Sequence, residues 1–374
     1  MGKKINKADS QPKFTDIEKE LLEWWYSKGI VDKYLTKNNN SEKRFTFIDG
    51  PITANNPMGV HHAWGRTYKD LWQRYKNMQG FKQRFQNGFD NQGLWVEVEV
   101  EKEKGFKTKK DIESYGIEKF VQDCKDATVK WSIVQREQSR RLGYFMNWGD
   151  YDGSDYSVID ENKYSYYTMA SENNYTIWHF LKTCNEQGWI YEGVDGVPWC
   201  PRCGTAISQH EILTEEYQDV THTSIFFKLP IKGKDNEYLL VWTTTPWTLV
   251  ANVAVAVNPE FNYVKAKSGE NIYYVLEDLV ESVLGKDFEI LDTILGKDLV
   301  GLKYEAPFSE LEVKKNAQHE VVAWDMVGSE EGTGLVHIAP GCGKEDFDLG
   351  KELGLEQIMP IDDAGVYMEG FDWL

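Results

Sequence analysis

The sequence contains no apolar run of about 18 residues, the length that crosses a bilayer as a helix. Its opening stretch, MGKKINKADSQPKF, is polar and lacks the apolar centre of a secretory signal. Cysteine is scarce: there are five in 374 residues, an odd and scattered set that does not fit a disulfide framework. These absences exclude a helical membrane anchor and favour a reducing compartment, so we expect a cytoplasmic protein with no membrane partner.

Positive charge is also scarce, because 42 Lys and Arg stand against 60 Asp and Glu, a formal net charge of −18. Lys and Arg drive binding to nucleic-acid phosphates, so a chain-wide basic surface is excluded. Local basic grooves remain open, and KTKK at 107–110 and QREQSRR at 135–141 are candidates. The length, with 41% hydrophobic and 27% charged residues, indicates a globular protein of about two or three domains.

The first half of the chain is rich in helical patterns. Residues 14–35 predict a helical segment, with Thr15 as its cap and Glu18 three residues later. A charged helix is predicted to begin near Leu94. Residues 107–190 are mostly helical by pattern, and we interpret their aromatic side chains as helix packing around a sheet.

A strand–helix–strand pattern lies within this half. RFTFID at 44–49 and FKQRFQ at 81–86 predict strands. Apolar residues three and four apart predict an amphipathic helix from His62 to Met78, and Gly80 is placed to end it. This order and length predict a right-handed βαβ unit with a parallel sheet.

The second half has a different pattern, and we place a domain boundary near 190–215. Short β-rich runs follow it, separated by glycine, proline and charged turns, which predicts a barrel or compact β domain. The runs are TSIFFKLP, EYLLVWTTT, VAVAVNP, FNYVKAK, HEVVAWDMV and GTGLVHIAP.

Two adjacent histidines, His61 and His62, stand at the N-terminus of the helix predicted after the first strand. A helix N-terminus at the carboxyl edge of a parallel sheet favours anions, and imidazoles there could stabilise charge that develops on phosphate oxygens. Asp90 follows the second predicted strand at the same edge, where it could hold a substrate ammonium. The alternative is an ordinary pair of loop histidines and an ordinary turn aspartate, and the pattern leaves both open.

Two other stretches carry chemistry in their side chains. Cys200 and Cys203, in WCPRCG, have a spacing that can present two thiolates to one zinc ion. A structural zinc site needs four ligands, and the sequence holds no second such pair. A redox role is less favoured because no thioredoxin-like βαβ context surrounds the pair. Thr243, Thr244 and Thr245 end a predicted strand before Pro246, a weak pattern when taken alone.

Five motifs in order identify the chain with a family: DGPITANNPMGVHHA, NGFDNQGLWVEVEVEKEKG, WCPRCGTAIS, WTTTPWTLVANVAVAV and GTGLVHIAPGCGKEDFDLGKELGL. From about Phe45 onward the chain resembles the isoleucyl-tRNA synthetases, and WTTTPWTL points to isoleucine rather than to the valine or leucine relatives. The resemblance implies isoleucine activation with ATP and Mg²⁺, transfer to tRNA(Ile), and hydrolysis of mischarged valyl-tRNA. A hydrophobic pocket separates isoleucine from valine only modestly, and these enzymes are the usual example of that limit. We expect a monomer.

The resemblance also implies an α/β fold: the first half of a Rossmann-type parallel-sheet catalytic domain, followed by an inserted β-rich editing domain. We expect a helical extension at 1–43, the half-Rossmann domain with helical additions at 44–190, and a zinc-knuckle junction at 191–214. The editing domain is expected at 215–374, near its C-terminal end. The family's KMSKS loop and anticodon-binding helices have no counterpart, so we expect the N-terminal part of a longer enzyme. A half sheet exposes strand edges and apolar faces.

Residue by residue, the resemblance assigns roles in the synthetic site. Gly50 and Pro51 match the backbone that walls the amino-acid pocket, Asp90 matches the aspartate that holds the substrate ammonium, and His62 matches the second histidine of the H-x-G-H signature.

The signature itself departs from the family, because it is Gly59-Val60-His61-His62 here. His61 then either crowds ATP or takes over the missing imidazole's role, with Gly59 freeing the space for this exchange. Gln92 and Trp95 also replace a family histidine and proline.

In the second half the resemblance assigns an editing pocket. Thr243, Thr244 and Thr245 match the threonine-rich segment that contacts the tRNA 3′ adenosine and the attacking water. His337 and Asp346 match the pocket's histidine and the aspartate that grips the ammonium of the misattached amino acid. Zinc is an expected cofactor with an incomplete site, since the partner of the Cys200 and Cys203 pair lies beyond Leu374 in the family.

Three functions therefore compete. The first is part of an isoleucine–tRNA ligase with editing activity. The second is a free-standing aminoacyl-tRNA deacylase that uses only the Thr243–Asp346 pocket. The third is a non-catalytic, synthetase-derived tRNA-binding protein, which the altered signature favours and the intact editing residues oppose.

Overall fold

The computed structural model describes residues 11–149, 165–214, 219–371 and 374. The chain divides into two compact units, Met1–Tyr191 and Glu192–Leu374. Within the described residues, no helix is both long and apolar enough to cross a membrane.

The first unit is mainly helical. Its helices are α1 Phe14–Ser27, α2 Ile30–Thr36, α3 Val60–Met78, α4 Leu94–Lys104, α5 Lys109–Tyr115, α6 Ile117–Arg141 and α7 Ser171–Glu186. Helix α3 ends as predicted, because Gly80 adopts a φ of 83° and the Gly80 and Phe81 amides donate to the carbonyls of Asn77 and Lys76.

The predicted helix at 14–35 is instead two helices. Gly29, with a φ of 60°, separates α1 from α2. The prediction that Thr15 caps the first helix is wrong, because α1 begins at Phe14 with Lys13 at the N-cap. Thr15 therefore lies inside the first turn, and Glu18 forms an ion pair with Arg141 at 2.9 Å.

The prediction of strands at 44–49 and 81–86 is also wrong. Each contributes a single parallel bridge, Arg44 to Lys82. Phe85 has a φ of 50°, which breaks the extended path of the second segment. The parallel direction is confirmed all the same, since a second bridge joins Thr53 to Asp90, and β1 (Gly88–Phe89) pairs parallel with β2 (Tyr166–Tyr167).

A close approach fixes the pairing of β1 and β2. A Cβ atom at Gly88 would lie 2.2 Å from Cζ of the Tyr166 ring, so glycine is required there. The Tyr166 hydroxyl donates to the Asp49 carbonyl, which joins this pair to the segment that leads into Gly50.

The second unit is built around two larger sheets. Their strands are β5 Ile225–Pro230, β6 Glu237–Thr243, β7 Ala254–Val257, β8 Asn262–Ser268, β9 Asn271–Leu276, β10 Glu289–Leu295, β11 Glu320–Ala323 and β12 Leu335–Ile338. The five-stranded sheet has the order β10-β8-β9-β6-β5, and in the three-stranded sheet β7 lies between β11, to which it is parallel, and β12, to which it is antiparallel.

Short helical elements and a hairpin complete the second unit. The hairpin is β3 (Trp199–Cys200) with β4 (Thr205–Ala206). The 3₁₀ turns include Pro246–Ala251 and Glu312–Lys314. The α-helices are α8 Gln209–Thr214, α9 Val280–Leu284 and α10 Lys344–Leu353.

All six predicted β-rich runs contain a strand, so the β-rich character of the second half is confirmed. β9 and β10 were not predicted. The inner strands form a closed apolar core, in which Leu239, Val241, Val255 and Tyr263 are fully buried. The α/β fold class with a β-rich second part is therefore confirmed.

Candidate active sites

In the first unit, Asp90 and the Gly50–Pro51 segment are brought side by side. The Asp90 amide donates to the Ile52 carbonyl at 3.2 Å, and the Ala54 amide donates to the Asp90 carbonyl at 2.7 Å. The Asp90 carboxylate accepts from the Thr53 hydroxyl at 3.0 Å. The carboxylate is therefore oriented by the same segment that is predicted to wall the pocket, and it is partly exposed.

A partly buried ion pair anchors that segment. Asp49 is buried, and its carboxylate accepts from the Lys69 ammonium and, at 3.0 Å, from the Gly88 amide. Lys69 also donates to the Gly50 carbonyl at 3.1 Å. Asp49 and Lys69 thus hold Gly50 against β1. Asp49 begins the first quoted motif, but no role was predicted for it or for Lys69.

Helix α6 fixes the loop that leads from this segment to the histidines. The Gln135 side chain donates to the carbonyls of Thr53 and Asn56, both at 2.9 Å, and the Gln138 side chain accepts from the Met58 amide at 2.8 Å. Both glutamines lie in the stretch proposed above as a basic groove.

In the 135–141 stretch all three arginines are ion-paired, and in the 107–110 stretch one of the three lysines is. Arg136 and Arg140 both pair with Glu137, and Lys109 pairs with Glu97 and Glu101. These pairs, like that of Arg141 with Glu18, reduce the positive charge that either stretch could offer to phosphates.

His62 lies in the first turn of α3 and has a defined tautomer. Its Nδ1 accepts from the Gly59 amide at 3.1 Å, so the proton of the neutral ring lies on Nε2. Burial, followed by the charges of His61 and Arg66, lowers the pKa of His62. At neutral pH the ring is therefore a neutral Nε2–H donor at a helix N-terminus.

His61 is exposed and lies against the ring of His62, with centroids 3.8 Å apart. A Cβ atom at Gly59 would lie 3.0 Å from Cε1 of His61. A larger residue at position 59 would thus press on the place that the His61 ring occupies.

In the second unit, the three threonines lead from the end of β6, where Thr243 is the last residue, to the 3₁₀ turn Pro246–Ala251. Thr243 is buried, and its hydroxyl accepts from the Thr245 amide at 3.1 Å. Thr244 and Thr245 are exposed. The Thr245 hydroxyl also lies 3.3 Å from that of Thr243. The segment therefore presents two exposed threonines on a backbone that the hydroxyl of Thr243 fixes.

His337, on β12, is joined to this segment through Thr248. The Thr248 hydroxyl lies 2.7 Å from Nε2 of His337 and donates its proton to the Thr245 carbonyl at 2.8 Å. Since Thr248 has one hydroxyl proton, it accepts from His337 Nε2–H. Burial, with a smaller effect of Lys314, lowers the pKa of His337 to about 4, so the ring is neutral at pH 7.

The other ring nitrogen of His337 faces a buried amide. Asn252 Nδ2 lies 3.5 Å from Nδ1 of His337 and donates to the Ala254 carbonyl at 2.9 Å, while its Oδ1 accepts from the Tyr304 hydroxyl at 2.8 Å. Both nitrogens of His337 are thus engaged, which suits orientation of Thr248 better than proton transfer. Thr248 and Asn252 lie inside a quoted motif, but their polar roles were not predicted; Tyr304 had no sequence signal.

Asp346 lies in the first turn of α10, and its carboxylate is linked to the end of β12, the strand that carries His337. Its carboxylate accepts from the Ala339 amide at 3.2 Å, two residues after His337. Burial raises the pKa of Asp346, and the Ala339 amide opposes this. An ammonium bound beside the carboxylate would favour its charged form and oppose this rise of the pKa.

The Cys200 and Cys203 pair lies on the β3–β4 hairpin. The Cys203 amide donates to Cys200 Sγ at 3.4 Å, and Gly204 turns the chain with a φ of 58°. Burial raises the pKa of Cys203. In the described part of the chain, no group of three or more His, Cys, Asp or Glu could hold a metal ion, so the residues present supply two zinc ligands and not four.

The chain was compared with known proteins. The family model of class I tRNA synthetases (I, L, M and V) matches residues 20–285. The chain is 38% identical over 365 residues to an isoleucine–tRNA ligase of Clostridium tetani, covering 97% of this chain and 33% of the relative. It is 40% identical over 363 residues to an isoleucine–tRNA ligase of Archaeoglobus fulgidus, covering 95% and 34%.

The chain thus spans about a third of the length of the curated relatives that it matches. Among solved structures, a LeuRS–tRNA–LeuAMS complex of Agrobacterium radiobacter K84 is 15% identical with a TM-score of 0.35, covering 91% of this chain and 43% of that one. That similarity is too low to carry an argument.

Proposed function

The chain belongs to the class I tRNA synthetases (I, L, M and V), and we propose that it serves the charging of tRNA(Ile) with isoleucine and the hydrolytic editing of valyl-tRNA. Identity of 38–40% to isoleucine–tRNA ligases along nearly the whole chain supports isoleucine as the amino acid. ATP, with Mg²⁺, is the proposed energy source.

One observation carries the editing half of the proposal. A continuous set of contacts in the second unit links Thr243 and Thr245 to Thr248, then to His337, and through Ala339 to Asp346. The exposed Thr244 and Thr245 hydroxyls would contact the 3′ end of the tRNA and the attacking water. Asp346 would hold the ammonium of the misattached valine, and His337 would hold the threonine turn.

For the synthetic half, the first unit offers an ammonium site and a phosphate site joined by one loop. Asp90 would bind the substrate ammonium beside Gly50 and Pro51. The neutral His62, with its Nε2–H at the α3 N-terminus, would donate to a phosphate oxygen as charge develops. No zinc chemistry enters, although Cys200 and Cys203 would supply half of a structural site.

Deacylation of valyl-tRNA and isoleucyl-tRNA by this chain tests the editing proposal. We expect faster hydrolysis of the valyl ester, lost in Asp346→Ala. Asp348→Ala is the matched control, because Asp348 lies on the same helix but is exposed and pairs with Lys344. Equal hydrolysis by the wild-type chain and Asp346→Ala, or none by a folded wild-type chain, would contradict it.

The role of His61 has its own test. We propose that His61, in the space left by Gly59, replaces the imidazole missing from the signature. Isoleucine-dependent ATP–pyrophosphate exchange, measured in a complete ligase built to include this sequence, should fall in His61→Ala. Unchanged exchange would show that His61 is dispensable.

A free-standing deacylase is the second candidate. All five predicted editing residues lie within one compact unit, an arrangement that this candidate and the ligase both require. Valyl-tRNA hydrolysis by the full polypeptide without any isoleucine-dependent exchange would support it over the ligase.

A further inference from the structure

A lysine is buried beside the threonine turn. Lys314, at the end of the 3₁₀ turn Glu312–Lys314, is only 2% exposed. Lysine is almost never fully buried unless its ammonium is paired, because removing the charge from water is costly. The contacts of this ammonium therefore indicate what the burial accomplishes.

The ammonium joins two segments that are distant in sequence. Its Nζ donates to the Pro307 carbonyl at 2.6 Å and to the Leu249 carbonyl at 3.2 Å. Leu249 belongs to the 3₁₀ turn Pro246–Ala251, directly after Thr248. Burial lowers the pKa of Lys314 to about 8, so the ammonium is mostly charged at neutral pH.

The position of Leu249 connects Lys314 to the pocket. Thr248, the preceding residue, holds the Thr245 carbonyl and accepts from His337. Without the ammonium, the buried carbonyl of Leu249 would lose a charged donor, and the turn would shift to find another. A shift of the turn moves Thr245, whose side chain is exposed and whose hydroxyl lies 3.3 Å from the Thr243 hydroxyl.

We infer that Lys314 is a positioning residue of the editing pocket, which holds the 246–251 turn and thereby sets the place of Thr245. It does not touch the reacting atoms. The inference rests on the proposed editing function for its activity readout, but its structural readout is independent of that function.

Lys314→Met is the informative variant, since methionine keeps an unbranched apolar stem and removes the ammonium. Lys315→Met is its matched control, because the neighbouring Lys315 is exposed and pairs only locally with Glu312. The rate of valyl-tRNA hydrolysis at saturating substrate should fall roughly tenfold or more in Lys314→Met, with KM within about twofold, because a displaced group costs rate rather than binding.

Amide hydrogen exchange over residues 243–251 supplies the second readout. In Lys314→Met these amides should exchange faster, while those of β8 and β9 are unchanged. The His337 imidazole should also titrate at higher pH, because a neighbouring positive charge is removed.

The outcomes separate the two proposals. A folded Lys314→Met chain with wild-type hydrolysis and exchange overturns the inference. If the wild-type chain does not hydrolyse valyl-tRNA, the editing proposal fails and the exchange data alone decide on Lys314. If Lys314→Met does not fold, Lys314→Gln is measured in the same way; failure of both to fold assigns Lys314 to folding of the unit and overturns the positioning role.

Discussion

The two units differ in what covers their apolar surfaces. In the second unit, the inward residues of β6 to β9 are buried against one another. In the first, the apolar side of α3 is exposed: Trp64 is 62% exposed, Leu71 61% and Met78 72%. The residues of α3 that are buried are polar, namely Arg66, Gln73 and Asn77.

This difference shows what hydrophobic periodicity can establish. The three- and four-residue spacing correctly predicted a helix over α3. It did not establish that the described residues supply a surface for the apolar side. In the second unit the apolar side chains of the strands pack against one another, and every strand of the five-stranded sheet pairs with a strand of the same unit.

We expect the largest difference between the two units when each is expressed alone. Residues 192–374 expressed alone should unfold cooperatively on heating and bind little of the dye ANS. Residues 1–191 expressed alone should bind ANS strongly and melt without a sharp transition, because their large exposed apolar side chains favour loose association. Circular dichroism and dye fluorescence measure both properties. A sharp melt of 1–191 without dye binding would contradict this expectation.

A matched pair of leucine truncations should show the same contrast within the intact chain. Leu239→Ala, in the buried core of the second unit, should lower the free energy of unfolding of that unit by about 3 kcal/mol. Leu71→Ala, on the exposed side of α3, should change the stability of the first unit by less than about 0.5 kcal/mol. Urea unfolding followed by hydrogen exchange in each unit measures the two effects. Equal losses would show that the α3 side is covered.

Lowering the pH should destabilise the second unit. Burial lowers the pKa of both His319 and His337 from 6.5 to about 4. The unfolded chain then binds more protons between these values, so stability present above pH 6.5 is lost as the pH falls toward 4. Each histidine accounts for up to about 3 kcal/mol.

Urea unfolding at pH 7 and pH 5 measures this loss. His337→Gln, which retains a donor but does not titrate, should make the free energy of unfolding depend less on pH. An unchanged slope in that variant would exclude His337 as a source.

Replacing a glycine that ends a helix should cost the same stability in both units. Gly80 ends α3 with a φ of 83°, and Gly354 ends α10 with a φ of 68°; neither has a neighbouring atom that a Cβ would meet. Gly80→Ala and Gly354→Ala should each cost about 1 kcal/mol, because the strain is local to the backbone. Unequal costs in urea unfolding would indicate that one helix end frays.

The sequence alone predicted those helices and strands whose residue pattern lies within the element itself. Helix α3 and its glycine stop, α4, and six strands of the second unit were predicted from spacing and turn residues. The strands at 44–49 and 81–86 failed because the ladder is set by partners distant in sequence and Phe85 leaves the extended region. β10 was not predicted because most of its residues are exposed and show no alternation of buried and exposed positions.

The candidate sites divide in the same way. Their motif residues could be named from the chain, and the structure places Asp90 beside Gly50–Pro51 and His337 beside the threonine turn. The residues that hold these groups, such as Lys69, Tyr304 and Lys314, could not be named. Their roles arise from burial and from carbonyls far along the chain, and no local pattern records either.

The tyrosine ring that covers Gly88 restricts how the sequence can evolve. Any side chain at position 88 would overlap the ring of Tyr166, 78 positions later, so neither residue can change freely while the other remains. In an alignment of descendants of this chain, the two columns should vary together, with a larger residue at 88 only where 166 has become small.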